Sequence, residues 1–215
     1  MCTDNRSLVA AGYDEIADAY LERFGVSAVR QRWMDRLSAH LPTDGGRVLD
    51  LGCGAGIPVA HDLAALGHAV VGVDGSEQQI VRARRNVPLA TFIHADMCEV
   101  NFEPGSFDGV GAFYSITHIP ADQQARLISK IATWLKPGGV FIASFGTGQA
   151  GEWTGEWLGT MMFFGHSGEE ATFRLLADSG FRVVRSAVER QDNEDAAFLW
   201  IEAQPSLAVP MFRER

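Results

Sequence analysis

Val48-Leu49-Asp50-Leu51-Gly52-Cys53-Gly54-Ala55-Gly56-Ile57-Pro58 is the stretch on which the reading of this chain turns. A short apolar run takes in one carboxylate, passes into glycines at alternate positions, and gives way to a helical segment from Pro58 to Leu66. A run this short and this apolar describes a strand covered on both faces. Glycines at its end let the backbone turn sharply and approach a ligand closely, while the first N–H groups of the following helix are left unpaired.

Outward from this corner, β-branched and aromatic runs predict strands at Arg47 to Leu51, Ala69 to Val73, Ala90 to His94, Phe107 to Phe113 and Gly139 to Phe145. Helical patterns separate them at Pro58 to Leu66, Ser76 to Arg85 and Asp122 to Leu135, the last with Leu127, Ile128, Ile131, Trp134 and Leu135 on one stripe. Strand and helix in alternation predict right-handed βαβ units and a parallel sheet with helices on both faces. Later come a helix from Glu169 to Ser179, with Ser167 and Glu170 spaced as a capping box, and strands at Phe181 to Glu189 and Ala197 to Ala203. The polar linker Gln191 to Asp195 makes these two a hairpin, so one of them runs against the rest of the sheet. Residues 1–44 read as a helical cap, with Tyr13, Ile16, Ala17 and Tyr20 at helical spacing ahead of a helix from Ser27 to His40. Residues 146–168, a Gly-rich insert with several aromatic residues, read as a binding wall on the substrate side, within one domain spanning 1–215.

The ligand edge of such a sheet is acidic here. Asp50 precedes the glycines, Asp74 ends the second strand about 20 residues further on, and Asp96 follows the third. A dinucleotide turn is Gly-x-Gly-x-x-Gly, whereas these glycines fall as Gly-x-Gly-x-Gly, with Ile57 where the third would stand. A carboxylate beside the turn repels a pyrophosphate and attracts an ammonium, and S-adenosylmethionine carries an ammonium and no phosphate. Asp74 alone also reads as a helix-initiating residue ahead of Ser76.

Leu49 to Gly56, Val73 to Ser76 and Ala95 to Met97 resemble the cofactor motifs of class I S-adenosylmethionine-dependent methyltransferases of the small-molecule type. Trp134-Leu135-Lys136-Pro137-Gly138-Gly139 resembles the family's turn into the fifth strand, and the likeness extends from about Tyr13 to Ala203. It implies a three-layer Rossmann-like α/β sandwich with a seven-stranded, mostly parallel sheet and one antiparallel strand near the C-terminus. It further implies that Asp50, Gly52, Cys53, Gly54 and Gly56 face the methionine part, that Asp74, Gly75 and Ser76 face the ribose, and that Ala95, Asp96 and Met97 face the adenine. Tyr13, Tyr20, Tyr114 and Ser115 complete the cofactor set.

Methyl transfer is an in-line displacement at a carbon that the cofactor has already activated, so the protein mainly aligns the partners and removes a proton where the acceptor needs it. His118 is the candidate base, because an imidazole titrates near neutrality and its position resembles one lining the acceptor pocket. The alternative is that His118 only hydrogen-bonds the loop or the cofactor carboxylate. Trp157, Phe163, Phe164 and His166 are candidates for the acceptor wall, and the same residues also read as packing of the insert on itself.

The chain has 215 residues, 47% of them hydrophobic, enough for a sizeable core. A formal charge of -9 disfavours nucleic acid and anionic membranes as partners, since both are gripped by Lys and Arg. Cys2, Cys53 and Cys98 have neither disulfide nor zinc spacing, which fits a reducing cytoplasm, and no metal is expected. No run approaches the roughly 20 apolar residues of a membrane span. The expected partner is a small-molecule methyl acceptor presenting O or N, the protein acting as monomer or homodimer. C-methylation, a nicotinamide-dependent oxidoreductase and a non-catalytic S-adenosylmethionine-binding protein are the alternatives. Thermal-shift measurements with S-adenosylmethionine and with NADH separate these classes: the first is expected to raise Tm, and a shift by NADH alone would favour the oxidoreductase.

Overall fold

The computed structural model describes residues 5–192 and 194–206, so Cys2 lies outside the described residues. Helices α1 (Asn5–Phe24) and α2 (Ala28–Ala39) lead into β1 (Arg47–Leu51), α3 (Val59–Ala65), β2 (Ala69–Asp74), α4 (Glu77–Asn86) and β3 (Thr91–His94). Then follow β4 (Phe107–Ala112), a short 3₁₀ turn at Ile116–His118, α5 (Ala121–Trp134) and β5 (Leu135–Gly146). The chain continues through β6 (Gly151–Trp157), β7 (Thr160–His166), α6 (Glu169–Asp178), β8 (Phe181–Arg190) and β9 (Ala197–Pro205). The main sheet has seven strands in the order β3-β2-β1-β4-β5-β9-β8. Its central pairings are parallel, and β9 runs antiparallel between β5 and β8, as the late hairpin required.

Alternation along the strands divides the core into two layers. Val48, Val70, Val140, Ile142 and Trp200 point toward α2, α3 and α4, where they meet Leu37, Leu63, Ile80 and Ala83. Leu49, Leu51, Val71, Val73, Phe141 and Ile201 point the other way, toward Leu127, Ile128 and Ile131 of α5 and Leu176 of α6. By this alternation Asp50 shares the α2 side of β1 with Val48. From β1 the chain winds outward through β2 to β3, then returns to the opposite side of β1 as β4. The loops leaving β1 and β4 therefore part company, opening the crevice in which doubly wound sheets take ligands.

Three local expectations are corrected. The insert, to which the sequence assigned no strands, is an antiparallel hairpin: Gly151–Trp157 and Thr160–His166 pair, closed by Leu158 and Gly159, both at positive φ (52° and 87°). Such a turn favours Asn-Gly, and a leucine in its first central position hid it from the sequence. The capping box of Ser167 and Glu170 does not form, because Gly168 (φ 79°) is the N-cap of α6 and Ser167 is left outside the helix start. Thr172 Oγ1 donates instead to the Gly168 carbonyl at 2.8 Å. Finally, Lys136 to Gly139 is no separate turn but an irregularity within β5, where the pairing steps from Phe107–Leu135 to Gly109–Val140.

Trp200 on β9 is fully buried, stacked on Trp33 of α2 at 5.5 Å and 10°, with Phe113 and Tyr114 against its other sides. Trp200→Ala is expected to lower unfolding free energy by about 3–5 kcal/mol through cavity formation, read from urea denaturation at unchanged m-value.

Candidate active site

The loops after β1 to β4, with α1 laid across them, enclose a cavity of about 340 Å³. The glycine turn contributes Gly52 and Gly54, the end of β2 Asp74, Gly75 and Ser76, and the end of β3 Ala95, Asp96 and Met97. Tyr114, Ser115 and His118 line it from beyond β4, and Tyr13 and Tyr20 from α1. Gly52 has φ 75°, and a Cβ there would lie 2.3 Å from the Ser115 Cβ, so only glycine lets the two loops meet. Ser115 Oγ then donates to the Leu51 carbonyl at 2.7 Å. Gly56 is different: it presses on Phe92, Val87 and Ala83, packing the turn against α4 outside the cavity wall.

Each carboxylate has its own situation. Asp74 accepts from the Gly54 N–H at 2.8 Å and the Ser76 N–H at 2.9 Å, so it ties the glycine turn to the start of α4. Burial raises its pKa above the usual carboxylate range against the pull of those two N–H groups. Asp96 accepts from the Cys98 N–H at 2.8 Å and pairs with Arg6 of α1 at 2.7 Å. Asp50 is buried outside this cavity, in the wall of a smaller one that also meets Tyr20, Gly52, Gly54 and Cys53. Its Oδ2 has no hydrogen-bond partner. Burial, with the neighbouring Asp74, pushes the Asp50 carboxyl up to about 7 against the opposing effect of Arg30.

His118 is held at both nitrogens. Nδ1 lies 2.8 Å from the Phe163 carbonyl, which can only accept, so Nδ1 carries the proton. Nε2, 2.9 Å from Tyr13 Oη, is left as the acceptor of the tyrosine hydroxyl. Burial lowers the His118 pKa to about 4, opposed by the bond to Phe163, so the ring is neutral throughout the neutral range. Burial likewise pushes the Tyr13 phenol well above its ordinary value.

The hairpin residues stand behind this pair. Phe164 sits 4.6 Å from the His118 ring, and Trp157 stacks on Phe24 at 5.7 Å while its Nε1 donates to Glu194. The Phe163 ring is buried. Trp157, Phe163 and Phe164 thus form a shell around Tyr13 and His118 and do not line the cavity itself. His166 is not brought to it: it borders a separate small cavity with Thr117 and Gln124, its Cβ against Gly146. Sequence reasoning also missed wall residues. Arg6 and Ala10 fall on the Tyr13 and Tyr20 face of α1, a periodicity that was there to be read, whereas nothing sets Gln79 apart from Gln78.

A glycine cradle that any Cβ would fill, carboxylates at the ends of three neighbouring strands and an unpaired buried carboxylate oxygen fit a cationic nucleoside ligand. The same donor set is wrong for a pyrophosphate. Fold and wall together define a nucleoside-binding α/β domain of the methyltransferase type. A family model described as a methyltransferase domain matches residues 48–139. An uncharacterized methyltransferase of Synechocystis sp. is 34% identical over 149 residues, covering 66% of this chain and 69% of that protein. The 27-O-demethylrifamycin SV methyltransferase of Amycolatopsis mediterranei is 32% identical over 61% of this chain. The chain spans only 55% of that relative, and 45% of a ubiquinone biosynthesis O-methyltransferase of Albidiferax ferrireducens. Of the solved structures, a Burkholderia thailandensis 1,6-didemethyltoxoflavin-N1-methyltransferase with S-adenosylhomocysteine bound superposes at TM-score 0.72 and 21% identity, covering 92% of this chain and 85% of that one. Magnesium protoporphyrin IX methyltransferase from Synechocystis, also with S-adenosylhomocysteine bound, gives TM-score 0.73 at 21% identity, over 94% of this chain and 100% of that one. The chain belongs to the class I S-adenosylmethionine-dependent methyltransferases, and S-adenosylmethionine is its cofactor.

The Asp50 carboxyl is neutral below about pH 7 and charged above it, and an ammonium prefers the charged form. Affinity for S-adenosylhomocysteine is therefore expected to rise with pH toward a limit of tenfold per unit below pH 7 and to level off above pH 8. Asp50→Asn should remove that dependence in calorimetric titrations. The stability sign is the reverse. A carboxyl whose pKa is raised on folding stabilises fully below its unfolded value of about 4 and loses that contribution progressively up to about pH 7, so Asp50→Asn should flatten the fall in Tm of the ligand-free protein between about pH 4 and 7.

Proposed function

We propose that the protein transfers a methyl group from S-adenosylmethionine to an oxygen or nitrogen nucleophile on a small molecule, with His118 taking the proton the acceptor gives up. The observation that carries this reading is the neutral imidazole of His118 in the cavity wall, its Nδ1–H fixed on Phe163 and its Nε2 lone pair turned to a hydroxyl donor, Tyr13. A small acceptor is further supported by relatives whose names specify rifamycin and ubiquinone-pathway substrates.

When bound, S-adenosylmethionine supplies the electrophilic methyl group and the thioether leaving group. Asp74, Gly75 and Ser76 would hold the sugar, Ala95, Asp96 and Met97 the base, and Asp50 with the glycine turn the amino-acid end. Tyr13 and Tyr20 on α1 cover the opening and exclude water. The acceptor's hydroxyl or amine would take the place of the Tyr13 hydroxyl at His118 Nε2, which would receive its proton. An imidazole with so low a pKa is a weak base, so orientation carries more of the rate than basicity does.

His118→Asn is expected to reduce kcat roughly 100-fold in a tritiated-methyl assay over hydroxylated and amino metabolites, with S-adenosylhomocysteine affinity changed less than about threefold. The wild-type rate should stay flat from pH 6 to 8 as far as this residue is concerned, where an unperturbed imidazole would halve it near 6.5. Tight cofactor binding with no turnover on any acceptor would replace the enzymatic reading with that of a binding protein.

A further inference from the structure

Glycine suits the interior of a helix poorly, because it loses the most backbone freedom on ordering and adds no side chain to the packing. Gly12 nevertheless stands inside α1, which also lacks an acidic residue in its first turn, so the helix is held by what it docks against. It is docked on two sides. Toward α4 and the strand ends, Asp14 accepts from Ser76 Oγ and the Gln78 N–H, Asp18 meets Arg82, and Arg6 meets Asp96. Toward the hairpin, Glu15 accepts from Thr160 Oγ1 at 2.6 Å, and Tyr13, Tyr20 and Phe24 pack on Trp157. Gly12 is buried at this second contact. A Cβ on it would lie 2.9 Å from Met162 Cε and 3.1 Å from the Met161 carbonyl oxygen. Met162 is fully buried, so its methyl has little room to yield, and the carbonyl belongs to the paired backbone of β7. Tyr13 follows Gly12 directly, and Phe163, whose carbonyl holds the His118 Nδ1–H, follows Met162. Helix and hairpin therefore make their closest approach one residue away from both partners of the imidazole.

We propose that Gly12 is a positioning residue for methyl transfer: with no side chain it lets α1 settle on β7, and that separation sets the contact between Tyr13 Oη and His118 Nε2. The proposal rests on the reading that the acceptor is received at Nε2. Helix and hairpin cannot both keep their places around a larger residue. Because the helix is tied to the cofactor side at Asp14, Asp18 and Arg6, a side chain at position 12 pushes β7 away. The Phe163 carbonyl moves with β7 and turns the imidazole from Tyr13. Alignment of acceptor and methyl group suffers, while the wall around the nucleoside stays in place.

Gly12→Ala tests this, because alanine favours the helix itself and any loss must come from the contact with β7. In the tritiated-methyl assay kcat is expected to fall roughly tenfold, with S-adenosylhomocysteine affinity by calorimetry within about threefold of wild type. Removing the opposing methyl should undo the loss: Gly12→Ala combined with Met162→Ala is expected to regain at least about a third of the wild-type kcat. Long-range proton–nitrogen NMR spectra read the same contact without an acceptor, the His118 signals being those missing from His118→Asn. With S-adenosylhomocysteine bound, Gly12→Ala should move the Nε2 resonance downfield as its hydroxyl donor is lost, and the combined variant should bring it back. An unmoved Nε2 resonance, a loss that Met162→Ala does not repair, or an equal loss of S-adenosylhomocysteine binding would overturn the assignment. If wild-type protein turns over no acceptor, the methyl-transfer role falls with the His118 reading, while the Nε2 resonance still decides whether Gly12 sets the Tyr13 contact.

Discussion

A single half-buried carboxylate holds the ligand edge together. Asp74 takes one backbone N–H from the glycine turn and one from the start of α4, and so locks two loops that leave neighbouring strands in the same direction. Both donors belong to backbone that secondary structure does not satisfy, and the charge on Asp74 gives these bonds more than ordinary strength. Ser76 carries the arrangement outward, donating to Asp14 of α1 at 2.6 Å while capping α4 through the Gln79 N–H. The cover helix is thus fastened to the cradle it covers, at Asp14, at the Arg6–Asp96 pair and at the Arg82–Asp18 pair.

The sheet was legible because its strands are nearly all apolar and its helices carry one-sided stripes, both of which follow from burial on two faces. The antiparallel strand was legible for a different reason, a polar linker too short for a crossover. Of the site, the residues at strand ends were readable, since topology dictates where strand ends go: Gly52, Gly54, Asp74, Asp96, Ser115 and His118 meet in one wall. What the sequence withheld depends on packing between elements far apart in the chain. Arg30 is buried beside Asp50 only because α2 crosses that face of the sheet, and no local pattern marks an arginine as interior. His166 shares the hairpin face of Trp157 and Phe164 by period two, yet it stands at the far end of β7 against Gly146, a position that depends on how the hairpin packs on β5 and that no local pattern gives.

The environments of Asp50 and His118 oppose each other in a way that suits the chemistry. Burial makes the carboxylate harder to ionise and the imidazole hard to protonate, so His118 keeps a free lone pair at neutral pH while Asp50 ionises only near pH 7. The aromatic rings of Phe24, Trp157 and Phe164 pack around the two tyrosines on that side of the site.

The hairpin hydrogen-bonds His118 through the main-chain oxygen of Phe163, while the Phe164 ring only packs beside the imidazole. A carbonyl is supplied by every amino acid, so this tether is blind to which residue stands at that position. Side chains along the hairpin can change while this hydrogen bond keeps the imidazole's tautomer and its aim. A fold built this way separates the part that must stay constant from the part free to vary.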